Sequence, residues 1–228
     1  MTIYNRSASA IRPAHTWTWR LLILFLGILI PFGSFAALAE DVYTHEGIGF
    51  DLPILNYVHR YATPLLDRVF VGIAAVGYSG VIAADVLIGL VFIFRRQIGD
   101  AIFWVAAVGG AELLNLVLKE FFRRLRPDLW ASPGRPNSYS FPSGHAMASM
   151  ALVAALSVLL WPSRWRWPTL VLGAVFVLLV GLSRIYLGVH FPSDVIAGWA
   201  ASLVWVTGVS LALYGRLVKP TPHAQPAT

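Results

Sequence analysis

The chain has 228 residues, 57% of them hydrophobic and only 12% charged, against about a quarter charged in an ordinary soluble domain. A mean hydropathy of +0.69, carried in long uninterrupted apolar runs, points to an integral membrane protein and excludes a disordered chain, a disulfide scaffold and a soluble enzyme. With no cysteine there is neither a disulfide, a thiolate metal site nor a Cys nucleophile. The net charge of +6 suits basic cytoplasmic loops, so nucleic acid is not expected as a partner.

A helix needs about 20 apolar residues to cross the hydrocarbon. In chain order the runs are Leu21–Ala39, Val69–Phe94 (interrupted by Asp85), Ala101–Leu118 (with Glu112 and Asn115), Ser143–Trp161, Trp167–Leu182 continuing through Tyr186, and Val195–Gly215. Backbone polar groups must be satisfied inside lipid, so each run reads as a helix. The predicted fold is all-α: a polytopic six-transmembrane-helix bundle, with residues 1–20 as a cytoplasmic N-tail and residues 220–228 as a flexible C-tail. Leu21–Ile30 followed by Ala37-Leu38-Ala39 also resembles a signal peptide, but the run is long enough to span.

Six spans put both tails, the second loop and the fourth loop on one side. These carry nine basic residues (Arg6, Arg12, Arg20, Arg95, Arg96, Arg164, Arg166, Arg216 and Lys219) against eight on the other side. If three of the eight serve chemistry, the balance becomes nine against five, and the positive-inside rule places both termini in the cytoplasm. In the outward loop Glu40–Arg68, the spacing of Leu52, Ile54, Leu55, Val58 and Tyr61 predicts a short interfacial helix with one apolar face.

Three polar clusters fall at the outward face. Lys119 to Pro127 leaves the third span, Pro142-Ser143-Gly144-His145 opens the fourth, and Ser183-Arg184 with His190 and Asp194 joins the last two. Lys119, Arg126 and Arg184 are fixed cations suited to an anion; Arg matches phosphate with a planar fork, Lys with a point charge. Ser143 and Gly144 at a helix start offer backbone N–H groups to the same anion. His190 and Asp194 are four apart, which suits a carboxylate that fixes the imidazole tautomer and leaves the other nitrogen free to attack. His145 is a second imidazole available as proton donor. This set describes phosphoryl transfer through a phosphohistidine. No metal cage is visible, since hard cations want several carboxylates and a two-His zinc site lacks a third ligand besides Asp194.

Among the remaining charges, Arg123, Arg124 and Arg135 read as solvated, headgroup-facing residues. Glu112, Asn115 and Lys119 share one face of the third helix, with Glu112 read as a structural hydrogen-bonding group, and Asp85 as an interior-facing acid.

Lys119-x6-Arg126-Pro127, Pro142-Ser143-Gly144-His145 and Ser183-Arg184-x5-His190-x3-Asp194 together resemble the three-part signature of the phosphatidic acid phosphatase type 2 superfamily, complete, in order and at its spacing. The resemblance implies His190 as nucleophile, Asp194 as its orienting partner and His145 as general acid. It implies Lys119, Arg126, Ser143, Gly144, His145 and Arg184 as a phosphate cradle working without metal or other cofactor. The implied substrate is a lipid phosphate or diphosphate drawn from the bilayer, such as undecaprenyl diphosphate, phosphatidylglycerophosphate or phosphatidate. A lipid phosphotransferase would share the first half-reaction, and a non-enzymatic lipid-phosphate transporter would share the cations. None of these motifs bears on oligomeric state.

Overall fold

The computed structural model describes residues 25–132 and 136–214. Arg6, Arg12, Arg20, Arg135, Arg216 and Lys219 lie outside the described residues, so the tail charges behind the orientation argument are not placed. No strand occurs among the described residues. We label the helices α1 (Phe25–Tyr43), α2 (Asp51–His59), α3 (Pro64–Phe94), α4 (Ile98–Phe122), α5 (Gly144–Leu160), α6 (Arg166–Tyr186) and α7 (Pro192–Leu213). Five of them, α1, α3, α4, α6 and α7, are long and apolar enough to cross a membrane. The sixth apolar helix, α5, has 17 residues and so a length of about 26 Å at 1.5 Å per residue.

Helix ends are set locally and run past the apolar stretches. Thr63 caps α3 by accepting the Leu66 N–H at 3.3 Å, with Pro64 in the first turn, so the helix starts before the charged pair Asp67-Arg68. Pro192 likewise opens α7, where Asp194 instead accepts the Phe191 N–H. α4 stops where Arg123 turns left-handed (φ 48°), its N–H still closing on the Lys119 carbonyl at 3.0 Å. π-helical turns interrupt α3 at Val76–Gly80 and α4 at Val105–Gly109; such turns are frequent at functional sites.

Packing places α5 inside. It lies against α6 and α7, while α1 covers α7 and α3 covers α6. Association in lipid relies on close backbone approach, because tails are as apolar as leucine. The α5–α7 contact accordingly uses small residues. A Cβ on Gly198 would sit 2.8 Å from the Ser143 carbonyl oxygen and 3.0 Å from Ala146 Cβ. Ser202 Oγ donates to the Met147 carbonyl at 2.9 Å across the same seam. Large apolar side chains instead point outward, among them Leu87, Phe94, Leu113, Val171 and Leu172. Charge-free outer faces of this kind suit lipid rather than water.

The short helix α2 departs from the predicted face. Asp51 and Leu55 point inward and are buried, whereas Leu52, Ile54 and Tyr61 are exposed. An acid at the first position, one turn before Leu55, takes the inward register because it has partners there.

Within the bundle, Asn115 is buried and donates to the Pro142 carbonyl and Met147 sulfur, both at 3.1 Å. Glu112 Oε1 and Asp85 Oδ1 are buried with no hydrogen-bond partner among the described residues. The inward contact at Asp85 comes from its backbone carbonyl, which accepts Trp104 Nε1–H at 2.9 Å.

Candidate active site

The turn from α6 to α7 carries His190 and Asp194, exposed by 1% and 0%. Gly188 makes the turn with φ +64°, and a Cβ there would also strike the Trp130 indole at 2.5 Å. Asp194, in the first turn of α7, uses Oδ2 to accept the Phe191 N–H at 2.9 Å and to face His190 Nδ1 at 3.4 Å. Its backbone carbonyl accepts the Ser143 N–H at 3.0 Å, which ties the start of α5 to the start of α7.

Arg126 reaches the other side of the imidazole. Its Nη1 lies 2.8 Å from His190 Nε2 and donates to the Val189 carbonyl at 2.7 Å. Its Nε donates to the Ser138 carbonyl at 2.7 Å and its Nη2 to Ser138 Oγ at 3.0 Å. A guanidinium can only donate, so the contact with Nε2 requires that nitrogen's lone pair. The ring proton therefore sits on Nδ1, toward Asp194, and Nε2 carries the lone pair. Burial holds the His190 pKa well below the ordinary histidine value, and Arg126, Arg184 and Lys119 press it the same way. The imidazole is neutral at pH 7.

Lys119, at the outer end of α4, donates Nζ to the Tyr139 carbonyl at 2.8 Å. Arg184 is 4% exposed, and its Nε is buried without a hydrogen-bond partner among the described residues. Ser143 Oγ is likewise buried and, among the described residues, unpartnered. Leaving such a group unmade costs about 1–3 kcal/mol, a debt that oxygens of a bound anion would remove. The first turn of α5 leaves its leading N–H groups without intrahelical acceptors. Gly144 is needed there for a neighbour as well, because a Cβ would lie 3.0 Å from Asn115 Oδ1.

His145, the second residue of α5, stacks on Tyr78 from the π-helical turn of α3, with ring centroids 4.8 Å apart and 21° between planes. It lies within electrostatic range of Arg184, His190, Arg126 and Lys119. The structure therefore gathers Lys119, Arg126, Ser143, His145, Arg184, His190 and Asp194 around one site, with Gly144 in the supporting turn.

Arg124 is not the solvated charge its neighbours suggest. Past the left-handed Arg123 the helix ends, and successive side chains alternate in exposure. Arg123 and Leu125 are exposed, with Arg123 donating Nε to the Glu120 carbonyl at 3.0 Å and lying 3.8 Å from its carboxylate, while Arg124 and Arg126 turn inward. Arg124 Nη1 pairs with Asp194 Oδ1 at 2.6 Å and Nη2 with Asp51 Oδ2 at 2.8 Å. Neither Arg124 nor Asp51 stands out in the sequence. The available signal was the two-residue step from Arg124 to Arg126 in a segment ending in proline. Tyr78 was silent too, as one aromatic in an apolar run.

A family model described as the PAP2 superfamily matches residues 100–217. The chain is 33% identical over 176 residues to phosphatidylglycerophosphatase B of Bacillus subtilis (strain 168), covering 75% of this chain and 86% of that one. It is 30% identical over 207 residues to an undecaprenyl-diphosphatase of Sulfolobus acidocaldarius, covering 89% and 92%. Among solved structures it is similar to a transmembrane PAP2-type phosphatidylglycerolphosphate phosphatase from Bacillus subtilis, with a TM-score of 0.73, 31% identity, and coverage of 83% of this chain and 96% of that one. With its membrane-length helices and this set of relatives, the chain is an integral membrane protein and belongs to the PAP2 superfamily of phosphatases.

Proposed function

We propose that this protein removes the terminal phosphate of a lipid phosphate or diphosphate through a phosphohistidine on His190. The observation that carries this reading is the fixed tautomer, with Asp194 on Nδ1 and a donor-only guanidinium at Nε2. When phosphate enters, Arg126 transfers its N–H groups from the imidazole to phosphate oxygens, and Nε2 is released toward phosphorus. A bond forms between Nε2 and phosphorus while the bond to the leaving oxygen breaks. Asp194 stabilises the imidazolium as it forms. His145, protonated once the charge of the bound phosphate offsets the cations around it, gives a proton to the leaving oxygen. Water then attacks the phosphohistidine, His145 takes the proton from that water, and inorganic phosphate leaves. Lys119, Arg126 and Arg184, with the first turn of α5, spread the charge of the transferring group as preorganised donors.

The relatives named for phosphatidylglycerophosphate and undecaprenyl diphosphate support those two substrates for this chain. All six apolar helices span the membrane in this reading, α5 included, with the site at the outer face and both termini in the cytoplasm. Among the described residues, and with Lys119, Arg124, Arg126 and Arg184 set aside for the site, the basic count favours that orientation by four against Arg60, Arg68 and Arg123. Arg95, Arg96, Arg164 and Arg166 gather at the ends of helices opposite the site, and exposed Trp161, Trp165 and Trp167 form an aromatic belt beside the latter two.

The test is a phosphate-release panel on purified protein in detergent, using phosphatidylglycerophosphate, undecaprenyl diphosphate and phosphatidate. Hydrolysis of at least one of the first two is expected. Binding without release, or transfer of the phosphoryl group to an added lipid alcohol in preference to water, would contradict the hydrolase reading.

A further inference from the structure

Asp51 opens the interfacial helix α2, yet it is 2% exposed and fully engaged. Its Oδ1 accepts the Ser193 N–H at 2.9 Å, and its Oδ2 accepts Ser193 Oγ at 2.6 Å and Arg124 Nη2 at 2.8 Å. Arg124 Nη1 donates to Asp194 Oδ1 at 2.6 Å and Ser193 Oγ at 2.8 Å, and the guanidinium carbon lies 4.2 Å from the Phe191 ring centroid. Carboxylate, guanidinium, carboxylate and imidazole thus stand in sequence from Asp51 to His190.

A carboxylate with no exposure is costly unless it is paired and hydrogen-bonded. Asp194 has nearby cations in the phosphate cradle, and Lys119 is within electrostatic range of it. Were Asp194 to turn to those cations, it would leave Nδ1 and compete with phosphate for them. Arg124 removes both problems. Its rigid fork holds Asp194 by one oxygen, so the other stays toward His190, and the cradle cations keep their charge for substrate. Asp51 in turn fixes the fork and offsets its charge.

We propose that Arg124 and Asp51 are positioning residues for the His190–Asp194 pair, so that the interfacial helix α2 helps to assemble the nucleophile. This rests on the reading of His190 as nucleophile. The competing role for the same contacts is to fasten α2 to α7.

A double-mutant cycle separates the two. Steady-state rates are measured on phosphatidylglycerophosphate or undecaprenyl diphosphate, whichever the wild type hydrolyses faster. Outer-partner substitutions commonly cost 10- to 100-fold, so R124Q is expected to lower kcat about 10²-fold and D51N about tenfold. KM is expected to stay within about threefold, because substrate binding is untouched. R124K, which keeps one donor toward Asp194, is expected to recover part of the loss. Placed in a D194N background, D51N or R124Q is expected to cost less than about twofold more, since the group they act through is gone. Equal fold losses in both backgrounds, or a raised KM at constant kcat, would overturn the proposal. If R124Q loses its cooperative thermal transition, near-isosteric D51N carries the cycle alone. Unfolding of D51N as well would assign the network to fold stability and overturn the proposal too. A wild type that releases phosphate from neither lipid would instead contradict the phosphatase reading itself.

Discussion

The two imidazoles of the site are held in opposite ways. His190 is almost fully buried in a turn and gripped at both nitrogens, by Asp194 at 3.4 Å and Arg126 at 2.8 Å. His145 heads a helix, is partly exposed, and rests face to face on Tyr78. In the proposed reaction His190 is the nucleophile and must present one lone pair along one line, which a fixed rotation and tautomer provide. In the same proposal His145 is the proton donor and must follow a leaving oxygen whose position varies with the lipid, and a ring stack permits sliding that a pair of hydrogen bonds does not.

Breaking the first arrangement has the largest expected effect. His190→Ala removes the atom that bonds to phosphorus in the proposed reaction and is expected to abolish turnover on every substrate, while the circular dichroism spectrum stays helical. Asp194→Asn keeps the nucleophile but loses its orienting charge, for an expected fall of about 10²–10⁴ in kcat, the scale of an orienting carboxylate in a triad. A wild-type rate in that variant would show that Asp194 does not serve His190.

The second arrangement gives a graded response. General acid help is typically worth about 10²–10⁴-fold. His145→Ala is therefore expected to lose most of that factor on phosphatidate, whose alkoxide leaves poorly without a proton. It should lose much less on p-nitrophenyl phosphate, and a diphosphate lipid should fall between. An equal loss on all three would make His145 a phosphate-binding residue instead. Tyr78→Ala removes the stack, a contact worth about 0.5–1.5 kcal/mol, and is expected to lower kcat on phosphatidate by up to about tenfold. Tyr78→Phe keeps the ring and is expected to retain the rate. Equal defects in the two Tyr78 variants would point to the hydroxyl rather than to stacking. The smallest expected effect is that of excess EDTA, which should leave the rate unchanged because Lys119, Arg126 and Arg184 supply the charge at the phosphate. Loss of activity reversed by Mg²⁺ would contradict this.

The same contrast separates what the sequence made legible from what it did not. His190, Asp194, Arg126 and Lys119 are chemically conspicuous in a chain with so few charges, and they fall in short motifs at helix ends. Their gathering at one face followed from span parity. Arg124 was hidden by two arginine neighbours and by the left-handed turn at Arg123, which no glycine announces. Asp51 is 142 residues from the Ser193 it binds, and local patterning has no reach over that distance. Tyr78 depends on a π-helical turn that hydropathy does not register. Hydropathy also stopped spans at charged residues, while backbone hydrogen bonding and proline caps carried α3 and α7 beyond them.

The central claim is that Nε2 of His190 bonds to phosphorus. The direct measurement is rapid acid-free quenching of wild-type protein during turnover of a lipid carrying ³²P in its terminal phosphate, followed by peptide mapping of the labelled residue. The account predicts a label that survives base, is lost in mild acid as a P–N bond should be, and maps to His190. It also predicts no label in His190→Ala and accumulation of label where hydrolysis of the intermediate is slowed. A label on His145 or on a serine, or turnover by His190→Ala at a measurable fraction of the wild-type rate, would contradict it.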